Sequence, residues 1–255
     1  MVARRWLMGI SFSTVFIFVI VWYLFARVSD PTLFPGPVTV WDAAVELWRK
    51  GELVDAISIS LQRSLKGWLL GALIGVPVGL AAGTSPVIRA MVDPFIHFFR
   101  FVPALALISI FLLWFGIGEA SKVNLVAYAT AFVIMVTTAA GASSVSRDKQ
   151  DAARCLGASG FQVFTRVTIP SSIPSIFTGM RLALANSLLV IVAAEALGTR
   201  SGIGFLIWNS RTYFRTDYIF VGVVCLGTLG YLLDRTWRLI GNTVLRRFLR
   251  RVGDY

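Results

Sequence analysis

Side chains able to make or break bonds are few in this chain, and they are scattered. There is one histidine, His97, and two cysteines, Cys155 and Cys225, 70 positions apart. No Cys-x-x-Cys pair occurs and no histidine lies near either cysteine, so metal and redox motifs are not suggested and both read as free thiols. A membrane-embedded enzyme should gather His, Asp, Glu, Ser or Cys near one face. Here a single carboxylate, Glu195, stands inside a long apolar run. No Gly-x-x-x-x-Gly-Lys-Ser/Thr loop is present either, so any nucleoside triphosphate must be bound by a partner. The regular pattern lies elsewhere. Asp151-Ala152-Ala153 is followed by three residues, Gly157, nine residues and Val167-Thr168-Ile169-Pro170, between two apolar stretches. The chemistry implied is docking.

The elements that must position this loop follow from composition. Of the 255 residues 56% are hydrophobic and only 15% charged, far from a soluble domain. Uncharged runs predict six membrane-spanning helices, at about 6–26, 67–88, 101–118, 123–146, 182–199 and 218–233. The last is expected to continue as a helix to Arg247. Arg4-Arg5 followed by residues 6–26 is too long and lacks the cleavage site of a signal peptide, and reads as a retained first span. With both termini inside, 15 of the 24 Lys and Arg residues are cytoplasmic, including Arg246, Arg247, Arg250 and Arg251. The net charge of +11 therefore reads as topology plus attraction to anionic lipid, with no module for nucleic acid.

Residues 147–181 carry seven ionisable groups and are not lipid-facing. Asp148 or Asp151 can complement the dipole of a short helix, Ala152 and Ala153 keep one face small, and Gly157 can end it in a left-handed conformation. A second segment is expected to stop near Ile169-Pro170, giving a helix-turn-helix knob suited to a cleft on a partner. Asp42-Ala43-Ala44 repeats the start of the pattern, but Trp48 stands at the glycine position. In the second span Gly67, Gly71, Gly75, Gly79 and Gly83 recur every four residues as a strip for close helix approach, either static or sliding, and Pro77 could bend it.

The loop resembles the cytoplasmic loop of ABC importer permeases. Further segments resemble the nitrate/sulfonate/taurine branch of that family: Leu33-Phe34-Pro35-Gly36-Pro37, Asp93-Pro94, Leu112-Leu113-Trp114-Phe115-Gly116-Ile117-Gly118-Glu119, Thr178-Gly179-Met180-Arg181, Ala193-Ala194-Glu195 and Phe214-Arg215-Thr216-Asp217. The resemblance covers about residues 33–250. Departures are Asp151 for the usual Glu, Val167 and Ile169 for Ile and Leu, and a third span that keeps only Pro103 of several prolines. It implies an all-α, polytopic, type I importer-like fold of six transmembrane helices in the bacterial cytoplasmic (inner) membrane. Residues 1–62 would form the first helix and an outer segment, 63–245 a permease core with its coupling loop at 147–170, and 246–255 a basic cytoplasmic tail. The implied function is a non-catalytic transport subunit that passes a small anion, such as a sulfonate, taurine or nitrate. Implied partners are a second permease subunit, expected to be identical, two ABC ATPase subunits holding ATP and Mg, and an extracytoplasmic solute-binding protein; this chain would bind no cofactor.

The ATPase-coupling residues implied are Asp151, Ala152, Ala153, Gly157, Ala158, Val167, Ile169 and Pro170. Glu195 is a pathway or gate candidate, or a tie paired with Arg200 or Arg211 near the outer end of its helix. Asn186 and Ser187, about two turns earlier, either line the pathway or bond across helices. His97 and its phenylalanine neighbours are placed in a cytoplasmic connection. Arg200, Arg211 and Arg215 offer a basic rim for a binding protein, or snorkel to the headgroups. An integral membrane enzyme or an autonomous channel is the alternative class, and neither accounts for the loop spacing.

Overall fold

The computed structural model describes the backbone of residues 2–244 and the side chains of residues 13–243, and among these there is no strand. Chain order gives α1 (Val2–Val28), α2 (Pro37–Arg49), α3 (Glu52–Thr84), α4 (Pro86–Phe99), a 3-10 turn (Ala104–Leu107), α5 (Ile108–Phe115) and α6 (Glu119–Ser143). The connection that follows is α7 (Arg147–Cys155), α8 (Gly160–Val163) and a π turn (Phe164–Thr168), leading to α9 (Ile169–Gly198), α10 (Ile203–Thr212) and α11 (Thr216–Val244). Among the described residues four helical stretches are long and apolar enough to cross a membrane: Glu52–Thr84, Glu119–Ser143, Gly160–Leu197 and Thr216–Thr243. The pair Pro86–Phe99 and Ala104–Phe115, bent by 86°, passes the same test only when taken together, as a broken span or a re-entrant loop. The span expected at 6–26 falls in α1, whose side chains before Ser13 lie outside the described residues, as do Arg246 to Arg251 and the tail at 246–255.

The centre of the bundle is α3 against α6 and α9. The glycine strip of α3 faces α6 within the same chain. A Cβ on Gly67 would sit 2.5 Å from Val126 Cβ, one on Gly75 2.8 Å from the Ala131 carbonyl oxygen, and one on Gly79 2.7 Å from that of Met135. Only glycine lets the two backbones approach so closely. Trp68 donates to the Met180 carbonyl at 2.9 Å and packs edge-on to Trp237, tying α3 to α9 and α11. On the outside of this core α2 buries Val40, Ala43 and Leu47 against Tyr218 and Val221 of α11.

Three expected boundaries are corrected. The second span starts at Glu52, not 67, because Ser60, Arg63 and Ser64 in its early turns are buried against other helices, where hydropathy cannot see them. A division at 62/63 accordingly falls inside α3. The stretch 101–118 is not one straight span: Pro103 is extended (φ −61°, ψ 130°) and disfavours helix in the residue before it, so the chain breaks between Phe99 and Ala104. Ile169-Pro170 does not end a segment either. Pro170 lies in the first turn of α9, and the preceding π turn, closed by the Ile169 amide on the Phe164 carbonyl, absorbs the missing donor.

Candidate functional site

Two groups of residues at opposite ends of the bundle carry the features singled out by the sequence. At the end away from the 147–170 loop, Glu195 is fully buried. Its partner is neither Arg200 nor Arg211. Arg63 of α3 reaches it with Nη1 at 2.9 Å, while Ser60 Oγ donates at 2.7 Å and the Gly204 amide at 3.0 Å. Ser60 Oγ in turn accepts from the Ile203 amide at 2.8 Å. Carboxylate and hydroxyl together thus satisfy two of the free amides at the start of α10, where a negative charge complements the helix dipole. Gly202 (φ +103°) makes the turn into α10, and a Cβ there would collide with the Glu195 carboxyl group.

Arg63 uses every donor it has. Beyond Glu195 it grips Glu119 of α6 with Nε at 2.6 Å and Nη2 at 2.5 Å, and it donates to the Ser201 carbonyl at 2.9 Å and the Ser201 hydroxyl at 3.0 Å. Lys122, 4% exposed along its side chain, stands 3.8 Å from Glu119 and donates to the Ile117 and Gly118 carbonyls. Two cations meet two anions, so the cluster is formally neutral. It joins α3, α6, α9 and the α9–α10 turn, and a guanidinium is suited to such a planar, multiply bonded hub.

Ser187 is buried between α3 and α9, 2.7 Å from Ser64 Oγ and bonded back to the Leu184 carbonyl. That is cross-helix bonding. Asn186, half-buried, donates to the Ala129 carbonyl at 3.3 Å and lines a cavity of about 620 Å³ beside the α4–α5 break. His97 stands on α4, inside the bent pair rather than in a simple connection.

At the other end the loop folds as a knob. Asp148 takes the first turn of α7, and Asp151 pairs with Arg154 at 3.0 Å. Gly157 is left-handed at φ +84°, its amide donates to the Arg154 carbonyl, and the Ala158 amide reaches back to Ala153 at 3.0 Å. This is the helix ending expected of a C-terminal glycine. Ser159 and Gln162 then form a capping box that starts α8. No residue of α7 is buried. Ala152 and Gly157 are exposed, while Ala153, Ala158, Val167, Ile169 and Pro170 are half-buried. Leu156 is 89% exposed and Phe161 76%.

The basic rim is only partly free. Arg200 and Arg211 are exposed, Arg211 over the Trp208 ring at 5.3 Å. Arg215 is engaged by Asp217 at 2.9 Å and Glu46 at 3.3 Å, and stacks over Tyr218. Lys50, with Tyr218 and Arg215, holds the Glu46 carboxyl down at about 2, and Asp217 pushes the Arg215 guanidinium up.

Sequence reasoning missed Arg63 because it lies ahead of the uncharged run at 67–88 that reads as the second span. The signal was present: Ser60, Ser64, Gly67 and Gly71 continue the small-residue strip N-terminally, and Arg63 lies on the same face. The exposed apolar pair Leu156 and Phe161 was also missed as a pair.

Residues 75–246 match the family described as binding-protein-dependent transport system inner membrane component. The chain is 37% identical over 247 residues to the putative aliphatic sulfonates transport permease protein SsuC of Escherichia coli (strain K12), covering 95% of this chain and 94% of that one. It is 32% identical over 232 residues to the taurine transport system permease protein TauC of the same strain, covering 88% and 84%. Among solved structures, inward-facing conformations of the MetNI methionine ABC transporter share the fold, with a TM-score of 0.59 at 17% identity, over 72% of this chain and 95% of that chain. The chain belongs to the binding-protein-dependent inner-membrane permeases of ABC transporters, in the branch of the sulfonate and taurine permeases.

Proposed function

We propose that this chain forms half of the transmembrane pathway of an ATP-driven importer for a small anion of the sulfonate, taurine or nitrate class. It would be coupled through the 147–170 knob to a separate ATPase that holds ATP and Mg. The observation that carries this reading is the knob itself: a helix with no buried residue, closed by a left-handed glycine, that leaves Leu156 and Phe161 in solvent. Two large apolar side chains at the tip of a polar loop are costly in water and favourable in a partner's cleft. Asp151, Ala152, Ala153, Gly157 and Ala158 shape this helix and its end, while Val167, Ile169 and Pro170 lead from the knob into α9. A second copy of the chain completes the pathway and two ATPases complete the engine, with both termini cytoplasmic. A solute-binding protein docks at the opposite end, where Arg200 and Arg211 are exposed.

The test is co-purification with a co-expressed candidate ABC ATPase, using Leu156→Asp and Phe161→Asp. Both side chains are exposed, so neither change disturbs packing within the permease. Loss of ATPase co-purification from a permease that still elutes as a folded species supports the reading. Undiminished co-purification of both variants removes the knob from the coupling interface.

A further inference from the structure

Arg100 is the C-cap of α4, and the sequence places it in a cytoplasmic connection. The fold puts it elsewhere. The Phe99 carbonyl accepts from Tyr128 Oη at 2.8 Å, and the Phe99 ring stacks on Phe132 at 6.1 Å. Tyr128 and Phe132 flank the middle of α6, a helix of 25 residues and about 37 Å. The break after α4 therefore lies near half the height of the bundle, and Arg100 with it.

Its environment is as unusual as its depth. The buried cation Arg63 is paired with carboxylates, as are Arg181 and Arg238 in the long helices. No described carboxylate lies in ion-pair range of Arg100, whose recorded contact is with the Phe101 ring at 4.7 Å. Arg100 is exposed on the single chain and can complement the dipole of α4, but at this depth in a membrane a charge with no carboxylate partner is costly without a function. Arg100 also lines the 620 Å³ cavity at the break, together with Asn186, Thr137 and the aromatic rings of Phe99, Phe101 and Phe132. No Asp or Glu lines it.

We infer that Arg100 and the cavity at the α4–α5 break form a solute-binding subsite for a small organic anion with an apolar tail. The sulfonate or carboxylate head meets the guanidinium, with Asn186 beside it, and the tail lies among the phenylalanines. Without a carboxylate in the wall, an ammonium group finds no counter-charge, so an alkanesulfonate is favoured over a zwitterionic aminosulfonate. This rests on the importer reading and adds to it the place and chemistry of recognition.

The experiment uses the full complex of permease, ATPase and binding protein in lipid nanodiscs, and the same complex without the binding protein. Binding of butanesulfonate and taurine to the latter is followed by saturation-transfer NMR, for the wild type, Arg100→Gln, Arg100→Lys and the exposed control Arg49→Gln. The expected result is butanesulfonate binding at least ~10-fold tighter than taurine, lost at least ~10-fold in Arg100→Gln, partly kept in Arg100→Lys and unchanged in Arg49→Gln. Co-purification with the ATPase, unaltered in Arg100→Gln, shows that the variant folds. Absence of wild-type binding, equal binding by Arg100→Gln, or equal affinity for taurine overturns the subsite. Stimulation of ATP hydrolysis by the binding protein is measured in parallel. If it is present while the subsite fails, the importer reading survives alone; if it is absent, that reading falls and this inference with it.

Discussion

Removing the Glu195 carboxylate by Glu195→Ala should be among the most damaging single changes in the chain. The side chain is fully buried, its Oε1 accepts from Arg63 at 2.9 Å, and its Oε2 accepts from Ser60 and from the Gly204 amide. Truncation leaves an amide at the start of α10 unpaired and takes one of two counter-ions from a guanidinium whose side chain is 4% exposed. Removing one partner of a buried pair costs about 3–5 kcal/mol. Arg63 keeps its two bonds to Glu119, which holds the expectation near the lower end. At roughly 2–4 °C per kcal/mol for a chain of this size, the midpoint of thermal unfolding should fall by about 6–15 °C. Tryptophan fluorescence of the purified permease in detergent is a suitable assay, with Arg200→Ala, an exposed site, as the silent control. A cycle with Arg63→Met tests the pair itself: the double variant should be less damaged than the summed singles by at least about 1 kcal/mol. A loss of under about 1 kcal/mol in Glu195→Ala, or additivity within roughly 0.5 kcal/mol in the cycle, would refute the claim that this contact ties the helices together.

The glycine strip predicts opposite signs for one substitution at two sites. Gly75→Ala forces its Cβ against the Ala131 carbonyl and should lose about 1–2 kcal/mol even after the helix-propensity gain, whereas Gly227→Ala, with open space around it, should be neutral or slightly stabilising; thermal unfolding of both reads this directly. Gly157→Ala meets no neighbour, yet its φ of +84° is strained for alanine by about 1–2 kcal/mol, so amide exchange in α7 and α8 should speed up while the span helices stay protected. Because Glu46 is held at about 2, below its ordinary 4.5, its ties to Lys50 and Arg215 are complete above pH 4.5 and are lost as pH falls through about 2. A carboxyl titration by NMR should show that midpoint, and Lys50→Met should move it upward; a wild-type midpoint near 4.5 would contradict the geometry.

The sequence exposed the knob far better than the pathway. Spacing alone located Gly157 as a left-handed helix end and narrowed the first-turn acid to Asp148 or Asp151, of which the fold uses Asp148, because these depend on local backbone chemistry that four or five residues determine. The glycine strip was equally readable, since a repeat of four residues stays close enough to the helical turn to form one slanting strip. Arg63 and Arg100 were not, for the same reason in opposite directions. Hydropathy treats a charged residue as the edge of a span, yet Arg63 is neutralised inside the bundle by carboxylates 56 and 132 residues away, and Arg100 is carried to mid-depth by a bend. The partners at such separations leave no local trace, even where, as at Arg63, the small-residue face that carries the cation is visible. The break at Pro103 left half a signal, a proline at the right place, but not its 86° angle.

The continuity of Gly160–Leu197 has a mechanical consequence. One helical stretch of 38 residues, about 57 Å long, begins at the knob beside Phe161 and ends two residues past Glu195. It is a lever whose ends lie on opposite sides of the bundle. A tilt of about 10° about its midpoint would carry each end roughly 5 Å, in opposite directions, for a helix of that length. A 5 Å displacement exceeds the reach of any hydrogen bond to Glu195. A push on the knob too small to unfold anything there would therefore be large enough, at the far end, to part the carboxylate from Arg63.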